Sequence, residues 1–358
     1  MTRRALARPQ LGRSVLLVAA LAVTLPAAAV SLAAQAPAAA VRAGSWQAPR
    51  TPEGHPDLQG NWTNVTLTPF QRPAGRGPVF TRDEVARIET PDDECPPNPG
   101  TVLCGRAAAA GTTDEARLSG NEYNEVYWDR GSRIAIVNGE PRTSLITRPT
   151  NGRRPPLTPA AEQRAAEARD FRAQFVQYDH PELRPLGERC IVSFGSSAGP
   201  PMTPNSAYNN NYTIVQTADH ILIMAEMVHD TRVIRLGERR PLPPHARPWF
   251  GDSWGRWEGN TLVVETTNLN PAHPFQGVAP TERTKVIERF TRADEDTILY
   301  EFTVDDPDNY AEPWGGEIPF ERFDDLLYEY ACHEGNYALS GVLSGARFEE
   351  GLAAGRQE

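Results

Sequence analysis

The stretch Thr297-Ile298-Leu299-Tyr300-Glu301-Phe302-Thr303-Val304 decides the fold class. Extended, it puts Ile298, Tyr300, Phe302 and Val304 on one face and Glu301 and Thr303 on the other, the alternation of a half-buried strand. Similar runs lie on both sides of it. Strands are predicted at 212–217, 221–228, 232–236, 256–258, 261–267, 285–292, 297–304, 317–322 and 327–332, with short turn-like links at 218–219, 259–260, 293–296 and 323–325. Tight links suit an antiparallel meander closed as a barrel or sandwich. A parallel α/β sheet would need a helix between strands, and this region offers none. In 261–267, Leu262 and Val264 face one way while Val263 and Glu265 face the other. Polar residues that share a face with apolar ones suit a barrel whose interior is partly wet.

Upstream the chain is mostly irregular. Residues 37–56 read as a linker, and 57–350 as a single β-rich domain with an irregular and helical part (57–206) and the meander (207–340); 351–358 form a tail. One or two helices are expected. Thr81 and Glu84 form a capping box for a short one, and Thr158 caps a longer one with Pro159 at its first position, the only long helix expected beyond the leader. Asn138-Gly139 marks a hairpin turn.

The first 36 residues have the composition of an export signal. Four arginines (Arg3, Arg4, Arg8, Arg13) precede an uncharged Ala/Leu/Val-rich run, and Ala34-Gln35-Ala36 fits a cleavage site. Their removal takes four positive charges and no acid, so the net charge moves from −10 to −14. That charge argues against nucleic acid and against anionic membrane surfaces as partners. A periplasmic or secreted protein is expected, with no membrane association once the signal is removed. The four cysteines then suggest two disulfides, Cys95–Cys104 and Cys190–Cys332.

With Gly60-Asn61-Trp62 ahead of a meander, the chain is similar in plan to calycin-type, lipocalin-like barrels. Its segments Thr51 to Trp62, Asn209 to Tyr212, Glu226-Met227-Val228-His229-Asp230, Gly251 to Gly259 and Tyr328 to Tyr337 resemble those of a family of secreted bacterial proteins. The resemblance spans most of the chain beyond the leader. It implies one fold and export, and transfers no catalytic residue.

The chemistry-bearing candidates gather in two segments, 226–232 and 332–336. His333, Asp230, Glu226 and His229 are the candidate proton carriers, since imidazoles and environment-shifted carboxyls suit acid–base work near neutrality. Arg232, Asn210, Tyr212, Trp254, Arg256 and Glu334 are the candidate substrate contacts. If 221–228 runs on as one strand, Glu226, Asp230 and Arg232 share a face with Leu222 and Met224; a bulge near His229 would rearrange this. The competing structural reading is an ion pair of Arg232 with Asp230 or Glu226. A metal at His229, His333, Glu334 and Glu226 lacks helical His spacing, so neither metal nor cofactor is expected. Two G-x-S-x-G matches, 195–199 and 251–255, read as turns; in the first, Pro200-Pro201 forbids the helix that a nucleophile elbow needs. The expected function is binding of a sugar-like or aromatic small molecule, with acid–base turnover as lyase, hydratase or hydrolase. A ligand-binding or envelope protein without catalysis is the alternative.

Overall fold

The computed structural model describes residues 46–90, 129, 131–193, 198–204 and 210–355. The predicted export signal and the predicted Cys95–Cys104 pair lie outside them. In chain order the elements are β1 (Gly60–Thr63), α1 (Arg82–Ile88), β2 (Ile136–Val137), β3 (Glu140–Pro141), β4 (Ile146–Arg148), α2 (Pro159–Arg172), β5 (Asn211–Gln216), β6 (His220–Ala225), β7 (Thr231–Leu236), β8 (Asp252–Glu258), β9 (Thr261–Thr267), β10 (Lys285–Arg292), β11 (Thr297–Asp305), β12 (Trp314–Arg322) and α3 (Ala338–Gly355). The Thr81 capping box, the Thr158 cap and the Asn138-Gly139 turn, with φ of 54° and 79°, all form as predicted.

Nine strands, β1 and β5 to β12, close into a barrel, because β1 pairs with both β5 and β12. A ring with an odd number of strands cannot alternate direction all the way round. One neighbouring pair must therefore be parallel, and that pair is β7–β8. Its connection, 237–251, has to return from one end of the barrel to the other. Every other barrel pairing is antiparallel, as the meander predicts. Strand β4 adds itself to β12 outside the ring.

Period-two alternation fills the inside. Ile298, Tyr300, Phe302 and Val304 join Leu262, Val264, Phe290, Phe320 and Trp314 in one core. At one end, here the foot, Trp62 lies between the guanidinium groups of Arg292 (4.9 Å) and Arg322 (5.1 Å), and its indole N–H donates to the Leu58 carbonyl. At the other end, the mouth, segment 198–204 enters the barrel. Met202 is fully buried there, and its N–H donates to the Tyr300 hydroxyl at 2.9 Å. Gly199 (φ +73°) makes that entry possible, since a Cβ would lie 2.8 Å from the Met202 side chain.

The predicted strand at 327–332 does not form. Both edges of β12 are already taken, by β11 and by β1 with β4, so the later chain has no free edge to pair with. It runs on outside the ring, and α3 follows as a helix that the sequence reading did not place. None of its residues is buried. Among the contacts that hold this segment are the Cys190–Cys332 disulfide (Cα–Cα 5.7 Å), a His229–Tyr330 contact and an Arg347–Asp179 ion pair. Reduction should therefore raise chymotrypsin cleavage at Tyr328, Tyr337 and Phe348 about tenfold while the barrel stays resistant, because local opening here costs far less than global unfolding. Digestion with and without reductant, read by mass spectrometry, checks this; first cuts within β5 to β12 would contradict it.

Candidate functional site

Five consecutive strands aim polar side chains at one point inside the barrel. Arg232 on β7 is 1% exposed and Glu288 on β10 is 0% exposed. The guanidinium meets the carboxylate in two places, Nη1 to Oε1 at 2.8 Å and Nη2 to Oε2. Arg232 Nε donates to Ser253 Oγ at 3.1 Å, and Nη2 to Thr266 Oγ1 at 2.9 Å. Tyr300 donates to Glu288 Oε1 at 2.9 Å. A charge can be buried this deeply only when paired and hydrogen-bonded on its remaining sides. Burial pulls the Arg232 pKa down, but the facing carboxylate outweighs it and the net shift is upward. Burial and the neighbouring Glu288 push Tyr300 well above the usual phenol range.

A turn selects Arg232 for the interior. Met227–His229 is a 3₁₀ turn in which Val228 (φ 58°) and His229 (φ 47°) are left-handed. The turn resets the strand phase, so Arg232 pairs across from Ile223 and faces inward with Ile234, while Leu222 and Met224 face out. The rearrangement foreseen for a bulge is the one that occurs, and the partner is Glu288 rather than Asp230 or Glu226.

The same turn builds a second, outer cluster. Asp230 is 7% exposed, and its Oδ2 accepts the Ser193 backbone N–H at 2.9 Å. Burial raises its pKa to about 6, against the pull of that N–H and of His229. Glu226 Oε2 accepts from Asn211 Nδ2 at 2.9 Å. His229 is exposed, with Nδ1 3.3 Å from the Tyr330 carbonyl. The disulfide brings 332 to 190, three residues before Ser193. Through the His229–Tyr330 contact the turn adjoins the 329–336 segment, which lines an open groove of about 640 Å³ together with Glu188 and Leu339. His333 and Glu334 are exposed on the turn after Cys332.

The remaining candidates lie elsewhere. Tyr212 is inside the barrel, stacked on Phe320, its hydroxyl accepting from Asn64 Nδ2 at 3.1 Å. The Asn210 carbonyl accepts the Asn64 N–H. Trp254 is on the outer face beneath the Arg235 guanidinium (4.2 Å), and Arg256 is exposed and paired with Glu258. Ser253 is consumed by the interior network, so the second G-x-S-x-G match presents no nucleophile; Gly195 to Ser197 of the first lie outside the described residues. Among the described residues no three His, Cys, Asp or Glu side chains cluster as a metal site, and no helix is long and apolar enough to cross a membrane.

A third feature went unread in the sequence. At the mouth, beside the 198–204 plug, a cavity of about 40 Å³ is walled by Trp249, His273, Phe275, Val278 and Tyr310, with Thr284 and Asp306 among its polar lining. The loops that build it, 237–251, 268–284 and 306–313, left no periodicity that would mark a cavity. Glu288, Tyr300 and Thr266 were missed as well, and Ser253 was weighed only as a minor nucleophile candidate; Glu288 did leave a signal, since it alternates in phase with Val286 and Phe290. Compared with protein-family models, with curated proteins and with solved structures, the chain matches none.

Two outcomes follow for stability. Glu288→Ala should cost about 3–5 kcal/mol by stranding a buried guanidinium, whereas Arg232→Met with Glu288→Leu and Tyr300→Phe should fall within about 2 kcal/mol of the parent in urea titrations. Asp230 binds its proton more tightly folded than unfolded, so its ionisation removes stability as pH rises from about 4 through about 6. Asp230→Asn does not titrate. Its stability relative to the parent should rise across that window by about 2–3 kcal/mol and level off above it. Melting curves from pH 4 to pH 8 check this; a constant offset would refute the raised pKa.

Proposed function

We propose that the protein is an exported β-barrel that binds a small, largely apolar or aromatic molecule at its mouth rather than along its interior. The carrying observation is the division of space. The interior is filled by the Arg232–Glu288–Tyr300 network and the Met202 plug, while the aromatic-walled cavity beside the plug is open. Ligand pockets are concave, mostly apolar and furnished with a few fixed polar groups, and barrel mouths are among their usual places. The likeness in plan to calycin-type barrels, and the resemblance to secreted bacterial proteins, support the same reading. The leader composition and the Cys190–Cys332 disulfide support a periplasmic or extracellular setting. Of the two expected ligand classes, the wall of Trp249, Phe275 and Tyr310 favours an aromatic or alkyl body over a sugar.

A second reading, acid–base catalysis as a lyase, hydratase or hydrolase, is favoured by the outer cluster. Asp230, with its pKa near 6 beside the exposed His229, has the character of a proton carrier. Under that reading Glu226 and His333 assist from the neighbouring turns.

A thermal-shift screen of the mature chain separates these readings. Small aromatic compounds should raise the melting temperature by several degrees near 100-fold excess over Kd, where binding adds about 2.7 kcal/mol. Trp249→Ala should remove the shift. Turnover of any hit that Asp230→Ala or His333→Ala abolishes, with the fold intact, would establish the enzyme; shifts from sugars alone, unaffected by Trp249→Ala, would overturn the mouth site.

A further inference from the structure

We propose that the mouth cavity is a site for a small organic cation, an alkylated or quaternary ammonium head; this rests on the mouth-binding reading and names its ligand class. Trp249, Phe275 and Tyr310 line the space, and an aromatic face attracts a cation held over it. Asp306 lines the same space and is 3% exposed. Its carboxylate differs from the arginine-paired acids of the barrel. Glu288 faces Arg232, and Asp252 faces Arg235. Asp306 is held only by neutral donors: Thr284 Oγ1 at 2.6 Å, Asn309 Nδ2 at 2.7 Å, the Asn309 N–H at 3.2 Å and Thr281 Oγ1 at 3.3 Å.

Among the described residues no Lys or Arg stands within ion-pair distance of Asp306. The neighbouring cations are engaged elsewhere. Arg247 donates to the Leu269 and Thr281 carbonyls, Arg283 pairs with Asp308, and Lys285 pairs with Asp305. Arg154 touches the Tyr310 hydroxyl from outside the lining. A negative charge therefore faces an apolar, aromatic space whose described lining holds no Lys or Arg, with the His273 imidazole as its ionisable wall.

The hydrogen bonding narrows the class further. Four donors already occupy the carboxylate, so it offers a ligand attraction but no vacant acceptor. A primary ammonium would enter with three N–H groups to satisfy and would lose them to burial. A quaternary ammonium brings charge without donors and presents methyl groups to the rings, and a trialkylated one carries a single donor. At about 40 Å³, several times the space that one water needs (about 10–15 Å³), the cavity suits the head of such a molecule, with its remainder in solvent.

Calorimetric titration of the full mature chain, in phosphate buffer free of organic cations, tests the class with four probes, of which all but ethanolamine are near-isosteric. These are choline, ethanolamine, neutral 3,3-dimethyl-1-butanol and anionic 3,3-dimethylbutyrate. Choline should bind at least about tenfold tighter than the alcohol, with ethanolamine and the butyrate weaker still. Trp249→Leu should weaken choline about tenfold, and Asp306→Asn should reduce it to the level of the alcohol. Should Asp306→Asn fail to fold, the probe series on the native chain and Trp249→Leu decide. Equal binding of choline and the alcohol would leave the mouth site standing and refute the cation. Preference for the butyrate would refute its sign, and ethanolamine matching choline would refute the alkylated head. No binding of these probes beside positive aromatic hits would also end the cation assignment alone, whereas silence in both screens would remove the mouth site itself.

Discussion

The structure is organised around one buried ion pair. Arg232 and Glu288 sit on strands separated by two others, and the hydroxyls of those two, Ser253 and Thr266, close the guanidinium's remaining bonds. Tyr300 then carries the network to the Met202 N–H of the plug. In a low-dielectric interior this chain of bonds is worthwhile only if complete. Registers of β7 through β11 must therefore agree with one another to within one residue, because a slip turns each of these side chains to the outer face. The pair contributes specificity of register more than net stability. The plug inherits that constraint, since its backbone completes the bonding of Tyr300.

Ring parity supplies the second constraint. With nine strands, one parallel step is unavoidable, and the 237–251 crossover that makes it returns to the mouth carrying Trp249. The crossover is pinned along its path by the Leu242 N–H donating to Asp252 and by Asn268 Nδ2 donating to the Leu242 and Pro243 carbonyls. The loops after β9 and β11 reach the same end, so three connections converge beside the plug. The mouth cavity is a by-product of closing an odd ring, which is why its wall is assembled from residues far apart in sequence.

Most of the barrel was legible because period two is a local property. The alternation in Thr297 to Val304 and the in-and-out assignment of Leu262, Val263, Val264 and Glu265 stand as read, and β9 and β10 have the predicted limits. Reading failed where pairing is non-local. Strand propensity around Tyr328 and Tyr330 had no edge to join once β1 occupied the ring. Arg232 could be singled out, but its partner lies 56 positions away, and sequence proximity suggested Asp230 or Glu226 instead. The 226–232 turn touches the later segment through His229 and Tyr330, a contact made without the strand predicted at 327–332; the aromatic cavity, built from three loops, left no local periodicity to read.

Burial treats the four buried acids of the described residues differently. Glu288 and Asp252 are neutralised by arginines, and so are committed to structure. Asp230 escapes part of its desolvation cost by holding a proton up to about pH 6, which leaves a titrating group beside His229 at the protein's edge. Asp306 is kept by dipoles alone, four donors without a compensating charge. Neutral donors can satisfy a carboxylate's lone pairs without cancelling its field, and in an apolar recess that field persists over the few ångströms a ligand would occupy. The buried acids among the described residues therefore separate by whether an arginine shares their burial. Asp306 at the mouth and Asp230 at the 226–230 turn are the two that no arginine faces.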